Sequence, residues 1–415
     1  MRCTRTAAAT ICLAAAVITV LAPATAFAEG TSPLPTNQQG CLPPPPSSDP
    51  DVPWGLQQLD PKAVWPLTQG AGVTVAVVDT GVDAGSPQLA GRVLAGSDVV
   101  NPNGASGNTD CYGHGTFVAG IIAAAPENGT GFTGVAPSAN ILPIRIANTA
   151  DDVTTASLAT GIRRAVDAGA RVINVSASTT VSDAGLAAAV AYAEAHDVVL
   201  VASAANNAKS GDPVTYPASY PTVVAVGAID TTGQRAAFSQ TGPYLGLVAP
   251  GVDVASIGPG GPGQWQGSGT SYAAPFVAGT AALVRSYHPG LTAGEVRRRL
   301  ESTADHPPAV MPDPQYGWGL VNPLAAVTAL VPGEGGTGLG VIAGRSAQAP
   351  TPAEIDAIGP ALTTLSILGA GAVAFLLRMS WRFFGDGRRR WGPARVLVVT
   401  DGLPPGEDHG PPAIQ

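Results

Sequence analysis

Charged side chains are scarce in this sequence. Only 12% of its 415 residues are Asp, Glu, Lys or Arg, against 45% hydrophobic, which excludes a self-repelling disordered chain. Glycine and proline are abundant, 52 and 39 residues, but they lack a three-residue period, so collagen is excluded and a loop-rich globular body is expected. Basic residues are in short supply over most of the length. Residues 29–356 hold 13 Lys and Arg against 25 Asp and Glu, which argues against a nucleic-acid partner for the main body. Internal repeats are lacking, and no cluster of potential ligands has the spacing of a metal site. Neither a metal nor another cofactor is expected.

Two hydrophobic segments stand out. Residues 1–28 open with Arg2 and Arg5, run apolar from Ala7 to Ala22 and end in Ala26-Phe27-Ala28, the pattern of a signal peptide cleaved after Ala28. The other reading is a retained anchor. Residues 357–377 are uncharged and would span about 31 Å as a helix, the thickness of a bilayer's hydrocarbon core. Arg378, Arg382, Arg388, Arg389 and Arg390 follow directly, which places the tail 378–415 in the cytoplasm and the acidic body outside a cell membrane crossed once. A buried core helix is the alternative for this segment.

Of the four cysteines, Cys3 and Cys12 depart with the leader. Cys41 and Cys111 remain, either as free thiols or, in an oxidising compartment, as one bridge. A bridge would close a loop of about 70 residues and stabilise the fold by roughly 4 kcal/mol.

Between these segments the texture changes three times. Residues 29–53 carry eight prolines, Pro43 to Pro46 among them, and read as an extended arm. Residues 54–330 read as a folded domain, and 331–356 as a flexible linker. Asp60-Pro61 is a helix-start signal. The runs at Val73–Val78, Val172–Val175, Val198–Val201 and Val223–Val226 have the composition of strands buried on both faces. Alanine-rich stretches at Ser157–Ala168 and Asp183–Ala195 have helical spacing. Their alternation predicts an α/β fold, a mostly parallel sheet with helices on both faces.

Three motifs carry chemistry. Val77-Val78-Asp79-Thr80-Gly81 puts an aspartate at the carboxyl end of a buried strand, where open α/β sheets place functional groups. Gly113-His114-Gly115-Thr116 sets a histidine between glycines at the head of an apolar helix-compatible stretch, and glycine permits close approach to the imidazole. Gly269-Thr270-Ser271-Tyr272-Ala273-Ala274-Pro275 puts Ser271 at a helix start, where free N–H groups favour developing negative charge. Singly, each has a plainer reading as a turn former, a structural histidine or a helix cap. Together they supply the orienting carboxylate, base and nucleophile of acyl transfer, in the order Asp79, His114, Ser271.

These motifs and their order resemble the subtilisin-like serine proteases over roughly residues 54–330. The resemblance implies that fold, the catalytic triad Asp79, His114 and Ser271, and an oxyanion residue after an apolar strand. Val201-Ala202-Ser203-Ala204-Ala205-Asn206 supplies it as Asn206, with Asn207 as the rival. It also implies substrate contacts at Ser176, Ala177, Ser178 and Ala205. Alanine stands at position 205 where the family has glycine, and Ser176-Ala177-Ser178 stands where it has Ser-Leu-Gly, so a restrictive pocket for a small P1 side chain is expected. Asp83 and the acidic loops resemble calcium ligands of some relatives, although a solvated surface charge is the simpler reading.

Phe117 and Phe276 replace the usual second histidines of two motifs, and Tyr272 stands where methionine is common. With the leader, arm, anchor and basic tail, these features resemble the mycosins, membrane-anchored proteases of type VII secretion systems. In that branch the arm wraps the protease domain and is tied by a disulfide near the catalytic histidine, which suits Cys41 and Cys111. An arm of about 25 residues is too short for a folded inhibitory propeptide, so no zymogen domain is expected. The implied partners are exported protein or peptide substrates, the membrane components of the secretion system, and the lipid bilayer. The implied activity is limited endoproteolysis. A mainly structural role in stabilising the secretion complex, with proteolysis dispensable, fits the resemblance too.

Overall fold

The computed structural model describes residues 32–35, 40–101, 103, 106–307 and 310–334. The expected leader, membrane span and tail lie outside the described residues, as does the linker beyond Glu334. Among the described residues no helix is long and apolar enough to cross a membrane.

Strand β1 (Ser32–Pro33) is followed by helix α1 (Trp54–Leu59) and strands β2 (Thr74–Asp79) and β3 (Ser97–Asp98). Next come α2 (His114–Ala123), β4 (Asn140–Arg145), α3 (Thr155–Asp167), β5 (Val172–Val175), α4 (Ala184–Ala195) and β6 (Val199–Ser203). Strands β7 (Val224–Ile229), β8 (Leu245–Pro250), β9 (Val254–Ile257) and β10 (Gln264–Gly267) precede α5 (Thr270–Tyr287), α6 (Ala293–Ser302) and α7 (Pro323–Thr328). Seven strands form one parallel sheet in the order β3-β4-β2-β5-β6-β7-β8.

Side chains alternate across a strand, and here both faces are dry. Val75 and Val77 of β2 pack into the layer that holds α2 and α5, while Ala76 and Val78 pack into the layer that holds α3 and α4. Burying one such valine contributes about 1.5–3 kcal/mol. The expected α/β architecture is present, and the four expected strand runs are β2, β5, β6 and β7.

Three strands of this sheet lie outside the sequence-based expectation, as do β1, β9 and β10 beside it. One is β4, whose Pro143 disguises it; the strand is paired on both sides, with β2 and with the short edge strand β3. The others are β3 and β8. At Asp60-Pro61 the expectation of a helix start needs correction. Pro61 opens a three-residue 3-10 turn, and the regular helix α1 precedes it and ends at Asp60, which adopts a left-handed conformation.

The arm is bound along its described length. Ser32 and Pro33 pair with β10, Leu34 N–H donates to the Gln266 carbonyl at 2.7 Å, and Cys41 is disulfide-bonded to Cys111. At the other end, Glu334 falls inside the segment expected to be linker, yet it accepts from Arg299 Nε at 2.9 Å. That guanidinium is buried in α6 and also donates to the carbonyls of Ala326 and Ala329.

Candidate active site

Asp79 ends β2 at the carboxyl edge of the sheet, and 4% of it is exposed. Its Oδ1 accepts from the Thr80 N–H at 2.8 Å and meets His114 Nδ1 at 2.7 Å. With Nδ1–H donated to a carboxylate, Nε2 is the basic nitrogen. Burial pushes the His114 pKa down, but the charge of Asp79, its hydrogen bond and the charge of Asp110 prevail, so the pKa is raised above 6.5.

His114 is the first residue of α2. The flanking glycines allow close packing around it. Gly113 has φ 90° and lies against Leu42 of the arm, and a Cβ on Gly115 would collide with the Gly81 carbonyl. They fit the histidine loop closely to its protein neighbours, the close backbone approach that glycine permits. His114 also has an aromatic neighbour: the Tyr272 ring is 5.1 Å from the imidazole and 4.5 Å from Phe117, centroid to centroid. Burial pushes the Tyr272 phenol far up, with help from the charge of Asp79, so it is neutral.

Ser271 sits in the first turn of α5, whose N-cap is Gly269. Ser271 is therefore not the cap, and no intrahelical carbonyl precedes its N–H. Its own carbonyl would ordinarily accept from the N–H of residue 275, but that residue is Pro275. The Ser176 hydroxyl takes the place of the missing donor at 2.7 Å, and Ser176 Oγ in turn accepts from Asn174 Nδ2 at 2.8 Å. Sequence reasoning assigned Ser176 to substrate; its hydroxyl is committed to the main chain of Ser271. No hydrogen bond joins the Ser271 hydroxyl to the imidazole among the described residues, a common condition of such sites without substrate.

Asn206 follows β6. Its Oδ1 accepts from both Thr270 N–H and Thr270 Oγ1 at 2.9 Å, which fixes the amide with Nδ2 turned away from Thr270. A Cβ built on Gly269 would lie 3.0 Å from Ser271 Oγ and 3.3 Å from Asn206 Nδ2, so the two groups face one small space. Asn207 instead leads into a short 3-10 turn. Ala205 has φ 81°, a conformation that costs a residue with a Cβ about 1–2 kcal/mol. Hydrogen bonds hold it there: its N–H donates to Thr270 Oγ1 at 3.0 Å and its carbonyl accepts from Gln240.

Asp79, His114, Ser176, Ala177, Ser178, Ala205, Asn206 and Ser271 all line one cleft of about 230 Å³. Among the described residues, none of the arm lines it. Asp83 is half-buried; at the surface its Oδ1 accepts from Gly85 N–H at 2.9 Å and its Oδ2 from Gly260 N–H at 2.7 Å. Among the described residues no three His, Cys, Asp or Glu gather in the manner of a metal site. The network behind the histidine, from Thr80 to Asp110, escaped sequence reasoning; its trace is an aspartate four residues before His114.

The pattern of the subtilase family matches residues 70–319. Mycosin-3 of Mycobacterium tuberculosis (strain ATCC 25618 / H37Rv) is 37% identical over 409 residues, covering 84% of this chain and 87% of its own. Thermitase of Thermoactinomyces vulgaris is 40% identical over 252 residues, 61% of this chain and 88% of its own. Among solved structures, the MycP3 protease from the type VII (ESX-3) secretion system superposes with a TM-score of 0.62 at 35% identity, covering 72% of this chain and 95% of that one.

Proposed function

Because this chain belongs to the subtilase family, in its mycosin branch, and is a subtilisin-like serine endopeptidase, we propose that it acts as a membrane-anchored extracytoplasmic enzyme, making limited cuts in exported proteins beside a type VII secretion system. The likeness to Mycosin-3 and to the MycP3 protease supports the secretion association. The patterns at 1–28 and 357–377 support export and anchoring.

The observation that carries the chemistry is the 2.7 Å contact of Asp79 with His114 in a cleft shared with Ser271 and Asn206. Asp79 holds the imidazole in one tautomer. His114 Nε2 takes the Ser271 proton as Oγ attacks the scissile carbonyl, and later returns it to the leaving amine. The oxyanion is met by Asn206 Nδ2 and the Ser271 N–H, the side-chain donor contributing on the order of 3 kcal/mol. Water, deprotonated by the same imidazole, then cleaves the acyl-enzyme. Ala177, Ser178 and Ala205 give the P1 side chain little room, and small residues are the preferred substrates there.

The test is Ser271→Ala in cells lacking the wild-type gene, together with fluorophosphonate labelling of the full chain. Label at Ser271, and loss of substrate cleavage in the variant, are expected. A correctly folded wild-type chain that takes no label overturns the triad assignment. Secretion that proceeds unchanged in the variant, without cleavage, assigns the chain a structural role in the secretion complex.

A further inference from the structure

Helix α2 starts without a cap of its own. Gly113, at the N-cap, has no side chain to receive the first-turn N–H groups. Asp110 receives them from outside the helix. Its Oδ1 accepts from Gly113 N–H at 2.8 Å, and its Oδ2 accepts from Thr116 N–H at 2.8 Å and Thr116 Oγ1 at 2.7 Å. The N–H of Gly115 goes to Thr80 Oγ1 at 3.0 Å. That hydroxyl has one proton to give, and Asp110 Oδ1 at 2.9 Å is nearer than Asp79 Oδ1 at 3.3 Å. The main chain on both sides of His114 is thus held by one carboxylate that is 5% exposed. Every partner of Asp110 is a donor, which is the environment of an ionised carboxylate.

We propose that Asp110 is a positioning residue for His114: it holds residues 113–116 so that the imidazole stays on Asp79, and it places a second fixed negative charge against the imidazolium formed during acyl transfer. This rests on the triad reading above and extends it. Burial pushes the Asp110 carboxyl above the ordinary carboxylate value, with a smaller push from the charge of Asp79, and its hydrogen-bond donors offset only part of the rise. The other charged or titratable groups around the histidine loop are Tyr112 beside it, with Asp151 facing Tyr112, Tyr272 from α5, Asp83 at the Thr116 hydroxyl, and Arg145 at the end of β4. Arg145 is engaged by Asp98 and by the carbonyls of Thr80 and Thr109. None of them is altered by the substitutions below.

The test follows the second-order rate of fluorophosphonate labelling against pH for the full chain, as wild type, Asp110→Asn and Thr80→Val. Removing a negative charge destabilises the imidazolium, so in Asp110→Asn the acidic limb moves down by about half a pH unit or more. Its plateau falls about tenfold. Thr80→Val keeps the charge and hence the limb, but its plateau falls several-fold. A limb that stays in place in a folded Asp110→Asn protein overturns the proposal, whatever the plateau does, because lost rigidity alone lowers the plateau without moving the limb. If Asp110→Asn does not fold, Thr80→Val decides, and a wild-type plateau there overturns the proposal. Wild-type protein that takes no label at any pH refutes the triad reading instead.

Discussion

The Ser176 hydroxyl donates to the main-chain carbonyl of Ser271 at 2.7 Å, the acceptor that Pro275 leaves without its helical partner. The nucleophile's backbone is therefore tied to the strand-end segment across the cleft as well as to its own helix. Removing the hydroxyl leaves a part-buried carbonyl without its partner, at a cost of about 1–3 kcal/mol. Ser176→Ala is expected to lower thermal stability by that amount and to reduce kcat. Pro275→Ala restores an N–H donor, so the double variant is expected to lose less than the two single variants combined. A double-mutant cycle by thermal unfolding measures the coupling, and strict additivity refutes the link.

The raised pKa of His114 sets the pH dependence of activity. The base must be neutral to take the serine proton, and a raised pKa keeps it protonated to higher pH. The acidic limb of kcat/KM is thus expected to centre above about 6.5, the ordinary imidazole value. Asp79→Asn removes the charge that raises it and frees the tautomer, and kcat is expected to fall on the order of 10³- to 10⁴-fold. Steady-state kinetics across the titration checks both.

Ala205 holds a left-handed backbone that glycine adopts freely. Ala205→Gly removes about 1–2 kcal/mol of strain and adds about 0.5–1 kcal/mol of chain entropy to the unfolded state. A small net gain in stability is expected in urea titrations, with wider tolerance at P1 because a methyl leaves the cleft wall. A loss of stability above 1 kcal/mol contradicts the strain argument.

Tyr272 occupies the position beside the nucleophile with a ring that peroxide leaves intact, whereas a thioether there is oxidised to a polar sulfoxide. The wild-type enzyme is expected to keep most of its activity through peroxide treatment. Tyr272→Met is expected to lose most of it, in step with a mass gain of one oxygen. Equal inactivation of both refutes the inference.

Much of this site was legible because its chemistry sits in short motifs. Asp79, His114 and Ser271 each carry recognisable neighbours, and the valine-rich runs marked β2, β5, β6 and β7. What was not legible depends on long-range partners. The Ser176 hydroxyl has a meaning only once Pro275, 99 positions later, removes a donor from Ser271. Asp110 looks like a loop aspartate until the absence of a cap at Gly113 is seen in three dimensions. β4 was hidden because Pro143 breaks the local pattern, although the neighbouring strands pair along it.

Helix α5 has one end in the cleft and the other under α7, where His288 Nε2 meets the Val327 carbonyl at 2.8 Å. From Ser271 to Tyr287 it extends roughly 25 Å. Arg299 gathers Ala326, Ala329 and Glu334 at the α7 side, away from the nucleophile. A buried guanidinium clamp thus fastens Glu334 to the fold, with the length of a helix between that fastening and the reactive serine.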